Sequence, residues 1–156
     1  MIYRLIGRAV VVALSFFLAV IVAAVFFTLA KVGREAVLAD NEIDQTLRFF
    51  EFTFVVGLVA AGAGRLAVVP ALAAIIATEA FRLQSLLIHM LIGITISIGG
   101  ILVGLEQPNA PPDTMLAAVA AGAVGGFVYW ILAGRWAGNW RGPSGPRSTP
   151  PLSKEA

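Results

Sequence analysis

Apolar residues in this chain come in four long blocks rather than in short periodic stripes, and short polar breaks separate the blocks. The first block, residues 9–30, has 22 residues and no charge. At ~1.5 Å per residue it can cross a hydrocarbon core of ~30 Å as a helix. Arg4 and Arg8 precede it, and Lys31 and Arg34 follow. A secretory signal peptide shares the basic start, but its apolar region is only ~7–15 residues; this block is longer and is read as an uncleaved helix. Residues 31–51 form a polar, net acidic connection in which "REAVLADNEIDQTLRFF" suits a short surface helix, with Asp40 or Asn41 as a cap before the next span. The second block covers 52–78, the third 86–105 and the fourth 115–134. "EAFRLQS" separates the second from the third. "EQPNAPPDT" separates the third from the fourth, and its three prolines forbid a continuous helix.

The second block is the irregular one, because Arg65 and Pro70 interrupt it. A charge at the bilayer centre costs roughly 2.5–3.5 kcal/mol on insertion scales. Two geometries accommodate it. One long helix over 52–78, kinked at Pro70, leaves Arg65 deep in the membrane. Alternatively the span ends near Gly64, Arg65 marks its cytoplasmic boundary, and residues 66–81 form a separate apolar half-helix started by Pro70. The second removes the buried charge and is the preferred expectation. Glu79 and Arg82 lie three residues apart on a helix and are expected to pair at its end.

Composition agrees with the blocks. The chain is 59% hydrophobic and 13% charged, against about a quarter charged in soluble domains. It has no cysteine, which excludes disulfides, thiol chemistry and thiolate metal sites. The net charge of +2 matters only through its placement. Basic residues gather before the first block, around the second break and in the tail, whereas the third connection has Glu106 and Asp113 and no base. The positive-inside rule then places both termini in the cytoplasm. Tyr129, Trp130, Trp136 and Trp140 suit the cytoplasmic interface. The tail beyond Gly142 is rich in Pro, Gly and Ser and is expected to be disordered.

Within the blocks, small residues share faces. His89, Gly93, Ser97, Gly100 and Gly104 fall on one side of the third helix; Ala118, Gly122, Gly126 and Tyr129 fall on one side of the fourth. Gly100–Gly104 and Gly122–Gly126 have the spacing that lets helix backbones approach closely in lipid. These faces are expected to pack together, with His89 hydrogen-bonded at the interface. One histidine makes no histidine cluster for a metal. No nucleophile elbow, zinc-protease motif or phosphate-binding loop is present, so no catalytic residues, cofactor or metal are expected.

"LAVVPALAAIIATEAFRLQSLLIHMLIG" and "GGFVYWILAGRWAG" resemble small four-span inner-membrane proteins of alphaproteobacteria. The resemblance covers roughly the second half of the chain. It implies a bacterial inner-membrane location, and it carries over no functional residue because that group has no established activity.

The expectation is an all-α polytopic membrane protein. Residues 1–141 form four transmembrane helices, with an extra half-helix or a long kinked second helix, and 142–156 form a cytoplasmic tail. Arg65, Glu79, Arg82 and His89 are its candidate functional polar groups. Its expected role is structural or accessory, as a non-enzymatic helix partner of other membrane proteins or of further copies of itself, with no nucleic acid involved. The alternative is a subunit of a small oligomeric transporter or channel. Small multidrug exporters of this size depend on a carboxylate in the first span, where this chain offers only Ser15 and Thr28.

Overall fold

The computed structural model describes residues 2–32, 42–104 and 111–138. They form four helices: α1 (Ile2–Val32), α2 (Glu42–Phe81), α3 (Leu86–Gly104) and α4 (Pro112–Leu132), followed by a short 3-10 turn, Gly134–Trp136. Each helix is long and apolar enough to cross a membrane. Large apolar side chains such as Phe17, Val69, Ile76 and Leu116 point outward, as expected where lipid rather than water covers the surface. The expected surface helix proves continuous with α2 from Glu42 onward; Asp40, Asn41 and the tail beyond residue 138 lie outside the described residues.

The preferred break at Gly64 is not what the chain does. α2 runs unbroken for 40 residues through Gly62, Gly64, Arg65 and Pro70. Glycine and proline end helices in water by letting solvent take the backbone groups they free. In hydrocarbon nothing replaces an intrahelical bond, so leaving the helix costs more than staying in it. Pro70 removes one donor only, the one that would reach the Leu66 carbonyl. Gly64 is also in contact, since a Cβ there would meet Val20 of α1 at 3.6 Å.

The helix does end at Phe81. The Leu83 amide donates to the Thr78 carbonyl at 2.9 Å, and Arg82 adopts φ 54°. This is the left-handed reversal in which an amide just past the helix satisfies a free carbonyl of its last turn. At ~1.5 Å per residue α2 is about 60 Å long, twice a ~30 Å hydrocarbon core. Its N-terminal part therefore projects beyond the bundle and carries the exposed Phe49, Phe50 and Phe54.

The core is built from small residues. α4 is central: Ala117, Ala118, Ala121, Gly122, Gly125 and Gly126 are all buried. One side of it meets α3 and another meets α1, where a Cβ on Gly125 would touch Ala23 at 3.2 Å. α2 flanks α1 and α3. At the far end from Arg8, Lys31 of α1 donates to the carboxylate of Asp113 and, at 2.8 Å, to the Thr114 hydroxyl of α4.

Candidate functional site

The larger of two polar clusters in the bundle lies at the end where α1 begins and α2 and α4 finish. Arg8 enters from the first turns of α1. Its Nε and one terminal nitrogen donate to Glu79 Oε1 at 2.9 and 2.5 Å, and that same terminal nitrogen reaches the Ala133 carbonyl at 2.7 Å. The second Glu79 oxygen accepts from the Gly138 amide at 2.7 Å. Both side chains are largely covered, at 15% and 16% exposure. The pair thus ties α1, α2 and the segment after α4 together, with each carboxylate oxygen and the charge satisfied, which a partly buried ion pair requires.

Arg82 follows on the left-handed turn. Its stem lies against Gly138, where an added Cβ would come within 2.4 Å of Arg82 Cγ. Gly138 itself has φ 75°, so both steric room and backbone conformation call for glycine there. Gln84 donates to the Ala137 carbonyl at 3.0 Å, and Trp130 Nε1 donates to the Gln84 carbonyl at 2.7 Å. Beyond the Arg82 expected beside it in sequence, Glu79 is held by Arg8, 71 positions away.

His89 lies beside this cluster at the start of α3, 3% exposed and stacked on Tyr129 with ring centroids 5.7 Å apart. Nδ1 is 2.8 Å from the Ser85 carbonyl, which can only accept, so Nδ1 carries the proton. Nε2 has no partner among the described residues. Gly134 covers that edge so closely that a Cβ would lie 2.8 Å from Nε2.

The small-residue faces divide differently from the expectation. Gly122 and Gly126 of α4 do pack on α3, but against Gly93, Ser97 and the backbone of His89 and Met90. A Cβ on Gly93 would sit 2.2 Å from the Gly122 carbonyl oxygen. Gly100 has nothing within 4 Å of its Cβ position, and Gly104 meets Leu66 of α2 instead. The stripe on α3 is a single face, but the closest backbone approach to α4 is at Gly93; the whole stripe, Gly100 and Gly104 included, borders a cavity.

Arg65 lies apart from the cluster. It is 14 residues, or about 21 Å along the helix, from Glu79, and its neighbour Leu66 reaches the far end of α3 at Gly104. The expected position at the Arg8–Glu79 end is therefore corrected: Arg65 belongs to the opposite half of the span. Its side chain is exposed, and no hydrogen bond or ion pair reaches it among the described residues.

Sequence reasoning missed Arg8, Gly134 and Gly138. Arg8 read only as a topology charge. Gly138 stood in a Gly-rich stretch with no signal to single it out. Among the described residues no cluster of His, Asp and Glu is suited to hold a metal ion. No family model, curated protein or solved structure matches the chain.

Proposed function

We propose that the protein is a non-enzymatic accessory component of a bacterial inner membrane, with both termini cytoplasmic, and that α2 is the helix it offers to a partner. The carrying observation is Arg65, a cation on the outer face of a membrane-crossing helix with no counter-charge among the described residues. Arg65 lies level with the end of α3, where a guanidinium without a counter-charge must reach towards the head groups at some cost. A partner helix with a carboxylate at the same depth removes that cost and gains a charge-assisted bond.

Two copies of this chain related by an axis along the membrane normal would bring Arg65 against Arg65. Like charges favour a different chain as the partner on this face. The exposed Phe49, Phe50 and Phe54 on the projecting end of α2 extend the same surface outward. Transport driven by Glu79 fits less well, because both its oxygens are already engaged.

Purification of the tagged chain in mild detergent tests this reading. A membrane protein recovered in fixed ratio with the wild type and with Arg65→Lys, but lost with Arg65→Leu at equal membrane abundance, is the expected result. A chain that purifies alone, or a partner retained in full by Arg65→Leu, overturns it.

A further inference from the structure

The outward side of α2 has a regular face of its own. Leu47, Phe50, Phe54 and Leu58 are 62%, 66%, 67% and 59% exposed. They follow one another at steps of three, four and four residues, the recurrence of a single helix face. Counted at ~100° per residue, all four lie within about 60° of the direction of Arg65. Exposed Val69 and Ile76 continue the row on the other side of Arg65. From Leu47 to Ile76 the row is 29 residues long, about 44 Å of unbroken helix.

Hydrocarbon does not cover all of it. The Arg8–Glu79 pair marks one end of the bundle. Leu47 and Phe50 stand 32 and 29 residues from Glu79, about 48 and 44 Å of helix. Even at a tilt of ~40°, the steep end of the range for spanning helices, they rise about 37 and 33 Å above that pair, past a ~30 Å core. Lipid tails suffice for Val69 and Ile76 but do not reach Leu47 and Phe50. Large apolar side chains set in a row outside the hydrocarbon mark a surface that protein covers.

Charge fixes the kind of protein. Glu51 lies on the same face, 14 residues from Arg65, or about 21 Å along the helix and about 40° round it. It is exposed, and no hydrogen bond or ion pair reaches it among the described residues. A second copy lying parallel on this face would set Glu51 against Glu51 as well as Arg65 against Arg65, two repulsions on one surface. Within the hydrocarbon the covering backbone has to be helical, and the row does not break as it leaves.

We propose that the outer face of α2 docks one long helix of a different membrane protein, which leaves the bilayer beside α2 and continues past Leu47. That helix carries a lysine or arginine opposite Glu51, about 21 Å from the carboxylate opposite Arg65. This rests on α2 being the helix offered to a partner; it adds that the contact goes on outside the membrane and is matched there by a charge of the other sign.

Benzoylphenylalanine placed at Leu47, Phe50 or Phe54 of the full chain, irradiated in native membranes, tests the proposal. Each position should give a protein adduct of the same mass. Thr53 is exposed but about 120° round from Arg65 and should give none above the unirradiated control. Mass spectrometry of the adduct should place the cross-links on one helical segment with a lysine or arginine within a turn of them. At equal membrane abundance, Glu51→Lys should lower the adduct by about threefold or more, the scale of one exposed ion pair, and Glu51→Asp should keep it. An adduct of twice the mass of this chain, adducts with lipid only, equal adducts from Thr53, or adducts unchanged by Glu51→Lys overturn the proposal. Co-purification that depends on Arg65 while Leu47 and Phe50 give no adduct leaves the Arg65 reading standing and overturns this one. Adducts that persist undiminished in Arg65→Leu do the reverse.

Discussion

Glu79 is a carboxylate whose charge is answered by one residue and whose geometry is answered by another. Arg8 neutralises it, and the Gly138 amide fills its second oxygen. Glu79→Gln keeps the size and one acceptor but leaves the Arg8 guanidinium without a counter-charge in a largely covered site. That change should cost about 3 kcal/mol, the scale for breaking a buried pair, read as a lower thermal midpoint in detergent. Adding Arg8→Gln should recover part of the loss, because the double variant buries no lone charge. Equal midpoints for wild type and Glu79→Gln would show the pair to be idle. At this scale the sequence was half legible. Glu79, Arg82 and His89 stand out as polar residues in apolar surroundings. The partners of Glu79 do not, since Arg8 and Gly138 are brought to it by folding from 71 and 59 positions away.

The membrane-crossing parts of α1, α3 and α4 follow from the uncharged blocks directly, because bilayer thickness sets the length of those blocks. α2 did not follow, because the cues read as a break have their usual meaning only where water can solvate a freed backbone group. The α3–α4 contact shows a related limit. Periodicity placed His89, Gly93, Ser97, Gly100 and Gly104 on one face but could not say where along that face the neighbour departs. The difference can be measured. Gly93→Ala drives a Cβ into the Gly122 carbonyl and should lower stability by about 1–3 kcal/mol, the cost of overpacking. Gly100→Ala meets nothing and should be neutral or stabilising by up to about 1 kcal/mol, the helix preference for alanine over glycine. Similar thermal midpoints for the two variants would refute this division of the stripe.

The molecule as a whole has two unlike ends. One is knitted shut by Arg8, Glu79, Arg82, Gln84 and the turn after α4; the other leaves α2 standing beyond its neighbours. The absence of native cysteine makes this directly testable with an impermeant thiol reagent. Glu51→Cys and Trp136→Cys should label from opposite faces of the membrane, because Glu51 is 28 residues, or about 42 Å of helix, from Glu79. Arg65→Cys should never label from the Trp136 face, and labelling there would contradict an unbroken α2. The closed end also dictates an order of events during synthesis. Chains emerge N-terminus first, so Arg8 and Glu79 reach the membrane before Gly138 has been added. An α1–α2 hairpin already contains both charges of the ion pair, and the last residues to arrive add the Gly138 amide that fills the second carboxylate oxygen.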